Sequence, residues 1–350
     1  MTLRDFFKNS PDALAIPRII KLTDNLWAIH FHLMKLLPAG MMLRRAREDG
    51  QLDAGSTVIE TSSGTFALAL AMYCRLFRYP LVIVSDPAVD DRLKRRLEEL
   101  GTRLEIVETA ISSPDVQKAR LARLAQLRDE IKNTYWPNQY DNPNNYVSYA
   151  PVAEILAETI GQLDFICGPV GSGGSMCGTT TYLRQSFPKL RAVAVDTFGS
   201  VLFGLPPNKR LLRGLGNSLM PANCDHTIFD EVHWVEPQEA FLATRVLHRE
   251  HSLFMGPTSG AAYLVALWLA ARNPASRIAF FMPDEGFRYI DSVYDDTWLH
   301  SNGVLLSRFP QEPQLVLHPN AASQGWTCFE WGRCTYTNIM GHPFRREDRL

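Results

Sequence analysis

The sequence has no excess of charge of either sign and no long hydrophobic run. It contains 36 lysines and arginines and 37 aspartates and glutamates, which gives a formal net charge of −1. A chain balanced in this way has no electrostatic footprint for nucleic acid or an anionic membrane, so we expect small-molecule ligands. No apolar run reaches membrane-spanning length, and the amino-terminal segment has no apolar core of signal-peptide length. We predict a cytoplasmic protein with no nucleic-acid or membrane partner.

Cysteine pairs at metal-ligand spacing are also absent. The cysteines are scattered, without a CxxC pair and without a histidine at zinc-ligand spacing. We therefore predict reduced, mostly buried thiols and no metal site. A redox or metal role is the open alternative for the last two cysteines, which lie close together. The six are Cys74, Cys167, Cys177, Cys224, Cys328 and Cys334.

Strand-like and helix-like segments alternate through most of the sequence. The chain has 350 residues, of which 46% are hydrophobic, enough for two lobes with buried cores. This alternation is typical of α/β proteins with parallel sheets covered by helices. The turn-rich segment 136–146 is the predicted connection between the lobes. We predict strands at 56–60, 80–85, 103–107, 163–167, 192–196 and 277–282, and helices at 66–76, 91–100, 179–185, 238–248 and 260–271.

A glycine-rich segment follows one of the predicted strands. It reads Gly171-Ser172-Gly173-Gly174-Ser175 and precedes a predicted helix. Free backbone N–H groups at the positive end of a helix form a seat for a phosphate. The segment therefore predicts a phosphorylated ligand. The turn of an ordinary βα unit is the alternative that this segment alone leaves open.

Further motifs accompany the glycine-rich segment in a fixed order. They are SSGTFA at 62–67, QYDN at 139–142, GLG at 214–216, GPTSGAA at 256–262 and FFMPDEGFRY at 280–289. Over residues 16–298 this order resembles the cysteine synthase and cystathionine β-synthase family, the fold type II enzymes that depend on pyridoxal 5'-phosphate. In this resemblance, residues 171–175 match the phosphate-binding GTGGT loop, with serine in place of both threonines. Pyridoxal 5'-phosphate is thus the implied cofactor.

The resemblance assigns roles to two segments of the first lobe. The family's TSGNTG loop, which holds the substrate carboxylate and the ring oxygen of the cofactor, matches residues 62–67. Thr65 stands where the family has asparagine, and its hydroxyl still hydrogen-bonds a phenolate oxygen, although it is shorter. The residues implied on the substrate side are Ser62, Ser63, Gly64 and Gln139.

The lysine that binds the cofactor is assigned by its spacing from a later turn. Counting back from Gly50 at the family's spacing lands on Lys35, the only lysine between Lys21 and Lys94. Its apolar setting, LMKLL, favours a neutral, nucleophilic amine. The family's Asn-Pro-Thr-Gly turn is missing before it, and a packed lysine with its amine in water is the alternative. On the resemblance, Lys35 is the predicted catalytic residue.

Two more cofactor contacts are implied in the second lobe. Gly214 matches the family's GIG turn, which closes over the cofactor. Asp284, with Glu285 beside it, stands where the family commonly presents a hydroxyl to the pyridine nitrogen. An acid there favours a protonated ring nitrogen and a stronger electron sink. A solvated turn acid is the open alternative.

The resemblance also implies the domain organisation. It resembles the two-lobed fold of the tryptophan synthase β subunit, in which each lobe is a mostly parallel twisted sheet covered by helices. Residues 1–35 plus 146–305 form the expected large cofactor-binding domain, residues 36–145 a small mobile domain, and 306–350 an irregular C-terminal extension. The family is usually dimeric, so a homodimer is expected. Trp326 and Trp331, if exposed, are anchors for a possible protein partner, and packing of this tail across a subunit is the alternative.

The implied reaction is a β-replacement on an activated serine-type amino acid, through an aminoacrylate intermediate. The departures around Lys35 and Thr65 favour a specialised amine or sulfur nucleophile, and the ending YIDSVYDDTW looks closer to diaminopropionate-forming enzymes than to ordinary cysteine synthases. Acetate, phosphate, water and sulfide stay open as leaving groups. A β-eliminating lyase, desulfhydrase or dehydratase acting on cysteine or serine is the alternative enzyme. A catalytically silent, partner-binding protein is the alternative of another class.

Overall fold

The computed structural model describes residues 7–87, 89–108, 116–212, 214–306 and 310–344. The strands are β1 (Arg18–Lys21), β2 (Leu26–His30), β3 (Thr57–Thr61), β4 (Leu81–Ser85), β5 (Arg103–Ile106), β6 (Thr134–Tyr135), β7 (Phe165–Pro169), β8 (Arg191–Asp196), β9 (Glu231–Trp234), β10 (Ile278–Met282), β11 (Gln314–Leu315) and β12 (Thr327–Glu330).

Most successive strands are separated by α-helices. They are α1 (Ser10–Ala15), α2 (Leu36–Glu48), α3 (Thr65–Phe77), α4 (Asp91–Glu99), α5 (Val116–Glu130), α6 (Pro143–Val147), α7 (Ala150–Thr159), α8 (Gly174–Ser186), α9 (Pro237–His251), α10 (Pro257–Arg272), α11 (Asp296–Ser301) and α12 (Tyr336–Met340). Short 3-10 helices lie at His226–Ile228, Gly286–Tyr289 and Pro319–Ala321.

The larger sheet has eight strands in the order β1-β2-β10-β7-β8-β9-β12-β11. Its central strands from β2 to β9 run parallel to one another. Successive residues of a strand point to opposite faces, so a strand covered on both faces is apolar throughout. In β10, Phe281 packs with α7 and α8 on one face, whereas Phe280 packs with α9 and α10 on the other. This double covering confirms the predicted α/β fold.

The smaller sheet has four parallel strands in the order β5-β4-β3-β6. Helices α2, α3 and α4 share a core with one face, and α5 packs on the other through Leu124 and Leu127. All four strands lie inside the range 36–145, the predicted small domain. The boundaries and the mobility of that domain stay a prediction.

The C-terminal segment corrects one expectation. The sequence predicts an irregular extension at 306–350, but β12 pairs antiparallel with β9, and β11 pairs with β12. Trp331 is fully buried and Trp326 is 4% exposed, so neither is the exposed anchor that the partner hypothesis requires. Trp331 instead meets Phe203 edge to face, with ring centroids 5.2 Å apart. The tail thus completes the large sheet of its own chain.

All six cysteines are free, and all but Cys334 are buried, as predicted. Across the described ranges, no helix combines the length and the apolar character needed to cross a membrane.

Candidate active site

A cavity of about 470 Å³ lies between the two sheets, where β3, β4, β7 and β10 end. The carboxyl ends of parallel strands are the usual ligand site of α/β folds. Eleven of the predicted site residues line the cavity: Lys35, Ser62, Ser63, Gly64, Thr65, Gln139, Gly171, Ser172, Ser175, Gly214 and Asp284. Segments far apart in sequence therefore meet in one place, as the family resemblance predicts.

Lys35 stands at the start of α2, as the residue that caps the helix. The preceding segment is tied to the end of β10, because the Met34 N–H donates to the Pro283 carbonyl at 2.8 Å. The Lys35 Nζ donates to the Ser172 Oγ at 3.3 Å. No ion pair of this amine occurs in the part of the chain that the structure describes. Burial without a counter-charge therefore lowers the pKa of Lys35 from 10.5 to about 8.

The glycine loop, residues 171–175, connects β7 to α8. In the described structure, the amides of Gly171, Ser172 and Gly173 have no backbone acceptor. They lie beside the positive end of α8, which is thirteen residues long. Free amides at a helix N-terminus are the donors that a phosphate binds. This loop therefore has the donor set that the sequence analysis predicts.

Gly173 and Gly174 serve this loop without lining the cavity. Gly173 has a φ of +83°, and a Cβ placed on it would lie 2.5 Å from the Asn223 carbonyl oxygen. A Cβ on Gly174 would collide with the side chain of Asn145. Asn145 in turn donates through Nδ2 to the Ser172 Oγ at 3.1 Å. These glycines are needed so that the loop can approach its neighbours closely.

The substrate-side loop begins where β3 ends. The Ser62 Oγ accepts hydrogen bonds from the N–H groups of Gly64 and Ala67, each at 3.3 Å, and so helps to cap α3. Its hydroxyl proton is still available to a ligand. Ser63, Gly64 and Thr65 follow along the cavity wall. The loop therefore has both a structural role and a set of ligand-facing groups.

Gln139 is held in the cavity wall by Glu60, a residue without an assigned role at the sequence level. A Glu60 carboxylate oxygen accepts from the Gln139 N–H at 3.3 Å, and the other from the Trp136 Nε1 at 3.0 Å. Full burial raises the pKa of Glu60 to about 7. The Gln139 amide also donates to the Thr61 carbonyl at 3.4 Å. The buried carboxyl thus positions Gln139 against the loop.

Asp284 lies two residues after the end of β10 and is 5% exposed, so it is not the solvated turn acid of the alternative interpretation. One oxygen accepts from the Tyr289 hydroxyl at 2.8 Å, and burial raises the pKa of the carboxyl. Thr258, at the start of α10, also lines the cavity and lies beside Gly214. Glu285 points elsewhere, to His32 at 2.8 Å. A contact between Asp284 and a ring nitrogen stays a prediction.

Cationic side chains of the cavity wall were missed by sequence reasoning. Arg120 of α5 donates to Asp86 at 2.9 Å, and both side chains are about nine-tenths buried. Helix α5 was itself not predicted, since its sequence has no continuous apolar stripe. The motif FFMPDEGFRY contains Arg288, but nothing local assigns that residue a role. Among the residues that the structure describes, the cavity wall contains five lysine and arginine side chains, which are Lys35, Arg120, Lys209, Arg210 and Arg288.

Comparison with known proteins identifies the family to which this chain belongs. The family model of the pyridoxal-phosphate dependent enzymes matches residues 34–284. The chain belongs to this family. The matched range begins one residue before Lys35 and ends at Asp284, so it includes every predicted site residue. The predicted cofactor, pyridoxal 5'-phosphate, is confirmed by this membership.

Two relatives share the name N-(2-amino-2-carboxyethyl)-L-glutamate synthase. The protein from Cupriavidus metallidurans is 35% identical over 292 residues, which cover 82% of this chain and 84% of the relative. The protein from Ralstonia nicotianae is 35% identical over 265 residues, or 75% and 78% of the two chains. With these relatives, the predictions of a pyridoxal-phosphate dependent enzyme and of a β-replacement reaction are confirmed.

The solved structure of an O-acetylserine dependent cystathionine β-synthase from Helicobacter pylori has the same fold. Its TM-score with this chain is 0.75, at 24% sequence identity, and the match covers 82% of this chain and 98% of that chain. At this level of identity the likeness concerns the fold, which is the predicted two-lobed fold type II architecture.

The chemistry of the residues that line the cavity fits pyridoxal 5'-phosphate. The free amides of residues 171–173 and the hydroxyls of Ser172 and Ser175 suit its phosphate, and Lys35 offers its aldehyde a buried amine whose pKa is lowered to about 8. The contact between the amine and Ser172 shows that both lie in one small volume. These residues are therefore the ones that would hold the group.

A second cluster, outside this cavity, has the composition of a metal site. Ligand atoms of Glu231, His233 and Cys328 lie within 4.8 Å of one another. However, the Trp326 indole N–H donates to the His233 Nδ1 at 2.9 Å, so this nitrogen carries no proton. The neutral ring then carries its proton on Nε2, which donates to Glu231 at 2.7 Å. Both ring nitrogens of His233 are thus occupied by hydrogen bonds.

Proposed function

We propose that this enzyme transfers the 2-amino-2-carboxyethyl group of a serine-type donor to the amine of an amino-acid acceptor such as glutamate, with Lys35 as the catalytic residue. The bond from the donor's β-carbon to its β-substituent breaks and the substituent is released, and the acceptor amine loses a proton as the new C–N bond forms at that carbon. The observation that carries the proposal is the Lys35 amine, which is buried between the glycine loop and the substrate-side loop with its pKa lowered to about 8. The name of the two relatives supports the choice of acceptor.

Lys35 has two tasks in this proposal. When bound, pyridoxal 5'-phosphate supplies an electron sink for the charge that develops at the α-carbon of the donor. The Lys35 amine is the base that takes the α-proton, and near pH 8 a large fraction of it is neutral and ready to accept. The same amine, as an ammonium group, returns the proton at the end of the reaction.

The two substrates are oriented by different parts of the wall. The donor carboxylate binds at the loop of Ser62, Ser63 and Gly64, with Gln139 beside it. Arg120 and Arg288 are paired with Asp86 and Asp90, so the wall's attraction for an acidic acceptor rests mainly on its other cations, such as Lys209. Cationic side chains lower the energy of a carboxylate that leaves water. Loop and lobe movement that excludes water would protect the reacting donor from hydrolysis.

Elimination without an acceptor stays the alternative reaction, since it shares every step but the last with replacement. A homodimer and a cytoplasmic location belong to the proposal as expectations carried from the family and the sequence. They are checked by size-exclusion chromatography with light scattering and by cell fractionation.

The decisive experiment combines a spectrum with a product assay. The purified protein is expected to absorb in the visible range, and borohydride followed by peptide mapping is expected to place the cofactor on Lys35. Incubation of O-acetyl-L-serine or O-phospho-L-serine with L-glutamate is then expected to yield the coupled amino acid, detected by mass spectrometry. Pyruvate and ammonia without the coupled product would establish elimination instead. A protein that stays colourless with added cofactor would overturn the proposal.

A further inference from the structure

A buried arginine connects the two lobes at the edge of the cavity. Arg288 lies in the 3-10 helix Gly286–Tyr289, after β10 of the large sheet. Its Nε and Nη2 both donate to one carboxylate oxygen of Asp90, at 3.0 and 2.7 Å. The other oxygen of Asp90 accepts from the Leu93 N–H at 2.7 Å and caps α4 of the smaller lobe. One guanidinium therefore links the large lobe to α4.

The third nitrogen of this guanidinium faces the cavity. Arg288 lines the cavity, and its Nη1 lies 3.7 Å from the place that a Cβ on Gly64 would take. Among the hydrogen bonds of the described residues, none involves this nitrogen. The side chain is 16% exposed and shares the cavity wall with Gly64 of the substrate-side loop.

A free guanidinium nitrogen beside that loop is suited to bind an anionic group of a ligand. Arginine presents its donors in a rigid plane, and its strongest partners are carboxylates and phosphates. In the proposed function the loop of Ser62, Ser63 and Gly64 holds the carboxylate of an amino acid. Nη1 is in place to donate to that carboxylate from the opposite lobe.

We propose that Arg288 is a substrate-binding residue, which donates through Nη1 to the carboxylate of the amino-acid donor while Nε and Nη2 hold Asp90. The inference rests on the proposed function for the identity of this ligand. Because the loop and Asp90 belong to one lobe and Arg288 to the other, binding of the carboxylate adds a further link between the lobes. The donor therefore favours the arrangement of the lobes that is seen in this structure.

The chain contains a matched control for this residue. Arg92 of α4 pairs with Asp291 at 2.6 and 3.0 Å, which links the same two lobes with the charges reversed. These side chains are 50% and 67% exposed, and neither lines the cavity. A variant of Arg92 removes an ion pair between the lobes but no donor to the substrate.

The test compares L-serine with L-serinamide, which lacks the carboxylate, by titration calorimetry on the cofactor-loaded protein. Loss of a hydrogen bond to a charged group is worth roughly tenfold or more in affinity. The wild type is expected to prefer L-serine, and Arg288→Gln to lose about tenfold of that preference. Arg92→Gln should keep the full preference. Hydrogen exchange in 90–99 is expected to slow on serine binding in the wild type and in Arg92→Gln, but not in Arg288→Gln.

Each outcome decides a separate claim. Undiminished preference for L-serine in a folded Arg288→Gln variant would overturn the role of Arg288 and leave the proposed function standing. Failure of the wild type to bind either ligand, or O-acetyl-L-serine, would overturn both. If Arg288→Gln does not fold, Arg288→Lys serves instead, since one ammonium group cannot bridge Asp90 and the substrate in the same geometry. Its preference should then fall, whereas an unchanged preference would contradict the proposal.

Discussion

The two sides of the cavity are built on different physical principles. On the cofactor side, the glycine loop fits against Asn223 and Asn145 so closely that a Cβ on Gly173 or Gly174 has no room. On the substrate side, the wall is held by buried ion pairs such as Arg120 with Asp86. Steric fit tolerates almost no substitution, whereas charge pairs can be exchanged together. This difference suits a site that keeps one cofactor on its sterically fitted side while the substrate can differ on its charged side.

The largest effect is expected at the residue that both sides share. Lys35→Ala removes the amine that binds the cofactor aldehyde and accepts the proton. A lost general base lowers the rate by about 100-fold to 10,000-fold, and the lost covalent attachment lowers it further. Steady-state assays of product formation measure the change. Lys21→Ala, at an exposed lysine, is the control, and a fully active Lys35→Ala enzyme would refute the assignment.

The contribution of buried ion pairs to the substrate side of the cavity is tested at Asp86. Asp86→Asn leaves the Arg120 guanidinium nine-tenths buried without its counter-charge, which is expected to cost about 3 kcal/mol of unfolding free energy. Urea unfolding measures this cost. The double variant Asp86→Asn with Arg120→Gln should recover a large part of it, because no buried charge is then left unpaired. Equal costs in the single and double variants would show that the pairing of the charges is unimportant.

The close steric fit of the glycine loop on the cofactor side is tested at Gly173. Gly173→Ala must place a Cβ 2.5 Å from the Asn223 carbonyl oxygen at a φ of +83°, so we expect a cost of about 2 to 3 kcal/mol and much weaker cofactor binding. Thermal unfolding and titration with pyridoxal 5'-phosphate measure the two effects. Gly55→Ala, where the same atom makes only ordinary contacts at 3.5 Å, is the control. A Gly173→Ala protein that binds the cofactor normally would contradict the steric argument.

The smallest effect is a pH dependence. In the cofactor-free protein, capture of pyridoxal 5'-phosphate should speed up by about tenfold from pH 7 to pH 9, with a midpoint near 8, because only the neutral Lys35 amine attacks the aldehyde. Stopped-flow absorbance follows this rate. Stability of the cofactor-free form should rise with pH between about 8 and 10.5, since the unfolded chain then binds more protons at this lysine than the folded chain does. A midpoint near 10.5 would mean that the amine is solvated.

Much of the fold was predictable because its signals are local. The predicted strand at 80–85 is β4 (Leu81–Ser85), and the one at 277–282 is β10 (Ile278–Met282). Both are continuous apolar runs, typical of strands buried on two faces. Strand β12 escaped prediction because its four residues acquire their meaning only from pairing with β9, about a hundred residues earlier. Helix α5 was not predicted because its buried face includes the polar residues Gln117 and Arg120.

The site divides in the same way. A glycine-rich turn after a strand, a lysine in an apolar setting and the order of the motifs are properties of neighbouring residues, so the sequence by itself determined the family, the cofactor and the candidate lysine. Only the tertiary structure decided which charges meet in the cavity wall. Arg120 and Asp86 are 34 positions apart, and Arg288 and Asp90 are 198 apart. The first pair depends on how α5 packs on the small sheet, and the second on how the two lobes pack. An ion pair is formed by proximity in space and leaves no periodic pattern in the chain.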